Sequence, residues 1–218
     1  MAVERLPIPT DPYVQTQFLM SRVHFAFETA FYNTLKLLEK PPYNDLNNFL
    51  GYCEAWCTTL IGHHDGEETV MFSYLQRKLD FADELAQHKK VHDACDVFLS
   101  KIALAKKDHH AFDPKGLIQI LKDAEDNLMT NLRQEIEDLA PERLKVFTSE
   151  EIGEMLTRAE KYAMKHSDPV IGLPFLRSHT PPEYKSFPPL PWVMERLLLP
   201  LLAMRHSGYW KYSPYSVT

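Results

Sequence analysis

Proline inside an α-helix removes a backbone donor and collides with the preceding turn, and in this chain the sixteen prolines crowd towards the two ends. Residues 20–40 contain none, and neither do residues 43–112. Seven glycines are few for 218 residues, so the middle of the chain is territory for long helices rather than for a turn-rich sheet. A chain of this length is large enough to bury a core of its own.

Periodicity places the helices within that territory. Asp11 before Pro12 reads as an N-cap followed by proline at the first helical position, and Pro41–Pro42 closes the helix that starts there. In it Met20, His24, Phe27, Phe31, Leu35 and Leu38 recur at three- and four-residue steps and share a face. A second helix is expected over 45–79, with Leu46, Phe49, Cys53, Trp56, Leu60, His63, Glu67, Val70 and Tyr74 inward. A third, over 83–107, turns Leu85, His88, His92, Cys95, Leu99 and Ile102 to one side. The fourth opens at Asp113–Pro114 and lines up Leu117, Leu121, Ala124, Leu128, Asn131, Glu135 and Leu139. Four long amphipathic helices on short links predict an all-α, up-down-up-down four-helix bundle over residues 13–140. Residues 1–12 form an N-terminal arm. Residues 141–218 form a partly helical, proline-rich extension packed on the bundle. Thr148 and Glu151 match a capping box for a fifth helix ending near His166, a proline-studded stretch follows over 169–191, and a sixth helix is expected to kink at Pro200. The aromatic-rich tail HSGYWKYSPYSVT has no helical period and is expected to pack as irregular chain.

Charge and composition exclude several classes. A net charge of −6, with no basic arm or stripe, is unsuited to neutralising phosphates and argues against nucleic-acid binding. The opening MAVERLPIPTDP lacks the basic start and apolar run of a secretory signal, and the strongest apolar run, 197–203, is broken by Pro200 and too short to span a bilayer. A cytoplasmic protein without a membrane span is expected. Cys53, Cys57 and Cys95 lie on apolar stripes and read as buried reduced thiols, not as a thiolate metal site.

The chemistry lies in polar pairs one turn apart on the inner faces: His24 with Glu28, His63 with Glu67, His88 with His92, and Asn131 with Glu135. Residues at i and i+4 point the same way, and antiparallel packing brings these pairs to similar heights. Burying so many ionisable groups in one layer is prohibitive unless a cation compensates them. Imidazole with carboxylate suits iron, zinc or manganese.

These residues resemble a known family, the hemerythrin-like or HHE cation-binding proteins. Its second helix carries a histidine ahead of a Glu-Glu pair, here HHDGEE at 63–68, and its third carries two histidines one turn apart, here HKKVH at 88–92, after a first-helix histidine, here His24. The resemblance covers roughly residues 13–140, and the long tail is similar to that of the family's fungal members. It implies a non-haem di-iron site with His24, His63, Glu67, His88, His92 and Glu135 as ligands, binding dioxygen or using the metals for oxidation or sensing. The chain departs from the family at Asn131, where the fourth helix usually offers a histidine. An amide oxygen is a weak neutral ligand, which would leave one metal a water or an open position.

That departure keeps a second reading open: an isomerase or cyclase on a phenolic or carbonyl substrate. In it His63 and His92 would exchange protons, Glu67 and Glu135 would orient the substrate, and Tyr184, Phe187, Trp192, Tyr209 and Trp210 would line a pocket. A third is a metal-free interaction module. His64 and Glu68 are candidates to orient ligands, and Gly62 and Gly66 to make room beside His63. His109 and His110 are expected in an exposed loop. His166, His179 and His206 could reach a site only through the fold of the tail. The partner is dioxygen or a small organic substrate, and the sequence leaves the oligomeric state open.

Overall fold

A computed structural model describes residues 4–218, so the first three residues of the N-terminal arm lie outside the described residues. Every regular element among them is helical. The first helix, α1 (Pro12–Glu39), is capped by the Asp11 carboxylate, which accepts from the Tyr13 and Val14 amides. The second, α2 (Leu46–Gly66), runs on without a break through a π-helical Glu67–Phe72 and a last α turn, Ser73–Leu75. The third is α3 (Ala82–Lys107). The fourth, α4 (Pro114–Asp138), is capped by Asp113 onto the Gly116 amide. Each of the four packs on the next, and α4 closes the ring against α1. No helix among the described residues is long and apolar enough to cross a membrane.

The second helix departs from its expected stripe. In the π segment each turn takes in an extra residue, so the inward positions slip: Met71 and Phe72 are buried, whereas Val70 is only half-buried. The helical path also ends at Leu75 and not at 79.

Two apolar clusters fill the bundle. One gathers Phe27, Phe31, Trp56, Leu60, Phe98 and Leu128 among others; the second gathers Met20, Met71, Phe72, Phe81 and Leu139. Burying each such side chain contributes about 1.5–3 kcal/mol. Along every helix the polar position falls between a residue of one cluster and a residue of the other. His24 lies between Met20 and Phe27, Glu67 between Leu60 and Met71, His88 between Phe81 and Val91, and Glu135 between Leu132 and Leu139. A polar layer thus separates two dry halves of one core.

The extension leans on this bundle. A capping box between Thr148 and Glu151 starts α5 (Ser149–His166), which packs on α1 and on the π segment of α2. A short α6 (Gly172–Ser178) packs on α2. There His179 bridges the extension to the bundle: its Nδ1 donates to the Phe175 carbonyl, and its Nε2 lies 2.8 Å from the Tyr52 hydroxyl. The helix containing Pro200 is not kinked by a simple break; a π-helical Met194–Leu198 precedes Leu199–Met204, and the Leu199 amide reaches back to the Met194 carbonyl. The wider turn absorbs the donor that proline lacks. The tail is less irregular than expected, because Ser207–Trp210 makes a helical turn that buries Trp210 in the core.

Candidate metal centre

The polar layer is built from side chains of all four bundle helices. From α1, His24 donates through Nδ1 to the Leu132 carbonyl at 2.8 Å. A carbonyl only accepts, so this bond fixes the proton on Nδ1 and leaves Nε2 facing the layer. That Nε2 lies 3.1 Å from His63 Nε2, 3.3 Å from Glu135 Oε2 and 3.8 Å from Glu67 Oε1. From α3, His88 is held the same way: its Nδ1 is 3.0 Å from Glu68 Oε1, and its Nε2 is 2.6 Å from Glu135 Oε1 and 3.7 Å from Glu67 Oε2. His63 Nε2 lies 3.1 Å from Glu67 Oε1. Each of the two carboxylates therefore turns one oxygen towards His24 and the other towards His88.

His64 is a full member of this layer. Its ring stacks on that of His88, centroids 3.9 Å apart and 5° from parallel, and its ligating atom falls within 4.8 Å of those of Glu67 and His88, as those of His24, His63 and Glu67 do with one another. Of the two candidates to orient ligands, Glu68 bonds to His88 from outside the layer, whereas His64 faces inward beside Glu67 and His88. His92 stands beyond it, with ring centroids 5.4 Å from His64 and 6.4 Å from His88, because one helical turn carries it ~6 Å along the axis. Of the six residues selected from sequence, the structure brings together His24, His63, Glu67, His88 and Glu135 and sets His92 outside both trios.

Other expectations change in detail. Glu28 is half-buried and has no part in the layer. Asn131 engages through its nitrogen, which donates to Glu135 Oε1 at 2.8 Å; a carboxylate only accepts, so the amide oxygen cannot face it. Asn131 also reaches Gln87 at 3.3 Å, and a chain from Gln87 through Gln134 to Glu84 continues the network. Nothing in the helical stripes signalled those three residues. Gly62 faces open space, and a side chain at Gly66 would meet Tyr162 of α5 at 3.4 Å, so neither glycine makes room for a metal. His109 is exposed and bonded to Asn47, His110 is exposed, His166 is bonded to the Tyr162 carbonyl, and His206 stacks on Tyr209. The five tail aromatics do not line one pocket. Tyr184 stacks under Arg22, Trp192 is exposed, Phe187 and Trp210 are buried, and Tyr209 packs on Gly51. All three cysteines are buried and free.

The electrostatics follow from burial and proximity. Burial alone would lower His24 and His88, but the carboxylates beside them outweigh it and raise both. Burial alone would raise Glu67, and the His63 and His24 charges reverse that and hold it well below the usual carboxylate range. At His64 burial and repulsion from His88 outweigh the Glu67 charge and push it well below an ordinary histidine, which favours the neutral, ligating form.

Even so, the layer leaves buried polar atoms without hydrogen-bond partners: both Glu67 oxygens, Glu135 Oε2, both His64 nitrogens, His92 Nε2 and Asn131 Oδ1. Such orphans are costly and call for an explanation. The carboxylate oxygens, and the one unprotonated nitrogen of each neutral imidazole, hold lone pairs that no donor of the layer reaches in hydrogen-bonding geometry, and a cation bound among them would satisfy several at once. The residues present fit a bound metal.

A helical bundle with a buried layer of histidines and carboxylates is the architecture of a metal-binding protein. The family description for the hemerythrin HHE cation binding domain matches residues 19–143, more than half of the chain, and the chain belongs to that family. No curated protein and no solved structure matches it.

Proposed function

We propose that the layer holds two iron ions and binds dioxygen, or uses it for oxidation or for sensing. The observation that carries this reading is the sharing of the carboxylates. Glu67 belongs to both ligand trios, and Glu135 likewise faces His24 with one oxygen and His88 with the other. A single ion needs one trio; two trios joined through two carboxylates suit a pair.

His24 and His63 would serve one ion, His64 and His88 the other, with Glu67 and Glu135 between them. Iron in an imidazole and carboxylate shell with an open position supplies dioxygen binding and redox chemistry. The chain's own residues prepare the site. The Leu132 carbonyl and the Glu68 carboxylate fix the tautomers of His24 and His88. Phe27 packs on His63 and Phe72 on His88, which keeps the inner atoms dry. The His63 side chain is 17% exposed where Glu67, Glu135, His24 and His88 are at most 2% exposed, so the side of His63 is where a small molecule would enter.

Elemental analysis of untagged protein purified without chelator, with its visible spectrum in air, tests the reading. About two irons per chain are expected. Protein that is folded, metal-free and still metal-free after anaerobic iron loading would overturn it, and would direct work to acid-base chemistry by His63, His92, Glu67 and Glu135.

A further inference from the structure

The extension holds a second concentration of buried charge, remote in sequence from the metal layer. Arg177 is 1% exposed and Lys185 is 6% exposed, in a protein whose net charge is −6. Both line a cleft of about 450 Å³ together with Arg5 and Glu195. The arm is fastened there by the Leu6 amide, which donates to the Glu183 carbonyl.

Charge in the cleft does not balance. Glu195 is the single carboxylate lining it, and both Arg5 and Arg177 pair with it. Lys185 has no acidic side chain as partner: its ammonium donates to the Ser216 carbonyl at 2.6 Å and reaches the main-chain oxygen of Thr218 at 3.4 Å. Arg177 gives one nitrogen to the Lys185 carbonyl and one to Glu195, and its buried Nε has no partner among the described residues. Three cationic side chains thus share the cleft with one acidic side chain, and Arg196 stands close enough to add its repulsion to Arg177. Burial, with repulsion from Arg177 and Arg5, holds Lys185 below an ordinary lysine, so the cations are set against one another. Apart from Ser186, the rest of the lining is apolar, made by Ile8, Leu190 and the prolines Pro188, Pro189 and Pro191. A concave site of this size with an apolar wall and a few convergent charges is the usual form of a small-molecule site.

We propose that this cleft binds a small organic anion, a carboxylate or phosphate carried on an apolar body, with the charged group on the Arg5, Arg177 and Lys185 side and the body against the prolines. The site lies outside the bundle helices and does not depend on the metal reading.

Calorimetric titration of the full chain with phenylacetate, phenyl phosphate and the neutral benzyl alcohol tests it. At least one of the two anions is expected to bind, about tenfold tighter than the alcohol, and which one binds tells carboxylate from phosphate. Arg5→Ala removes a half-exposed side chain and should weaken that anion about tenfold. Glu195→Gln removes the competing carboxylate and should tighten it, an outcome that misfolding cannot imitate. Binding of neither anion, equal binding of the alcohol, or loss of binding in His63→Ala but not in Arg5→Ala would overturn the proposal; the last would place the anion on the bundle site instead.

Discussion

Glu68→Ala is the sharpest probe of how the layer is prepared. Glu68 touches the layer only by accepting from His88 Nδ1, at 3.0 Å, and its side chain is 38% exposed. Removing it leaves the packing intact, but frees the His88 ring to turn and to exchange its tautomer, and makes its inner nitrogen less basic. Loss of such an outer partner typically costs about 10–100-fold in metal affinity. Partial exposure screens the carboxylate, so the lower end applies, about tenfold or 1.4 kcal/mol. Glu68→Gln keeps an accepting oxygen and loses the charge, and should cost about threefold. Competition against a chromophoric chelator reads both affinities, and urea unfolding of the metal-free protein gives the control, with a change of no more than about 0.5 kcal/mol expected for this surface position. Wild-type affinity in Glu68→Ala, or an apo-protein destabilised as much as the metal-loaded one, would refute the argument that Glu68 acts through His88.

On the proposed two-ion reading, with His64 in a candidate trio and His92 beyond it, His64→Ala should lower the bound metal per chain by about one ion and His92→Ala should leave it unchanged; elemental analysis after gel filtration decides. Asn131→Asp sets a second carboxylate against Glu135 in a dry layer and should destabilise the metal-free protein by about 3 kcal/mol, with much of the loss recovered when metal is added before thermal denaturation. A Cβ at Gly51 would fall 2.1 Å from the Tyr209 ring. Gly51→Ala should therefore cost about 1–3 kcal/mol, and a double variant with Tyr209→Ala should cost less than the sum of the two. His179 is held down to about 4 by burial, against an ordinary 6.5. The unfolded chain takes up that proton as pH falls below 6.5 and the folded chain not until about 4, so stability drops as pH falls through this window, by about 3 kcal/mol, and levels below it. In His179→Gln the urea midpoint should lose that part of its pH dependence.

Much of this architecture was legible in the sequence because it is written locally. Asp11, Asp113 and Thr148 cap helices where the one-residue chemistry of an N-cap predicts, and His24, Glu67, His88 and Glu135 interrupt apolar stripes whose period alone turns them inward. What stayed hidden depends on the third dimension or on a change of period. A uniform 3.6-residue period carries Val70 inward, and only the wide turn at 67–72 puts Met71 and Phe72 there. That His64 lies within 4.8 Å of Glu67 and His88 while His92 falls outside both trios was not legible, because spacing gives the face of a helix but not the depth at which two helices cross. The Gln87–Gln134–Glu84 chain and the cleft around Arg177 join residues that are far apart or carry no period, and no local rule brings them together.

The wide turn in the second helix also bears on how such a chain tolerates insertions and deletions. A π turn is one residue inserted into a helix that neither breaks nor bulges out of the bundle. Losing any single residue from 67–72 would restore an ordinary ladder of hydrogen bonds, and the bundle would still fold. Because the wide turn already takes in the extra residue, the flanks would keep nearly the same phase, with His63 and His64 drawn about 1.5 Å along the axis towards Met71 and Phe72. A single-residue loss in the regular turns upstream would instead rotate one flank by about 100° against the other, so, Glu67 itself apart, the π segment is where this helix can change its length by one residue with its histidines still turned towards His24 and His88.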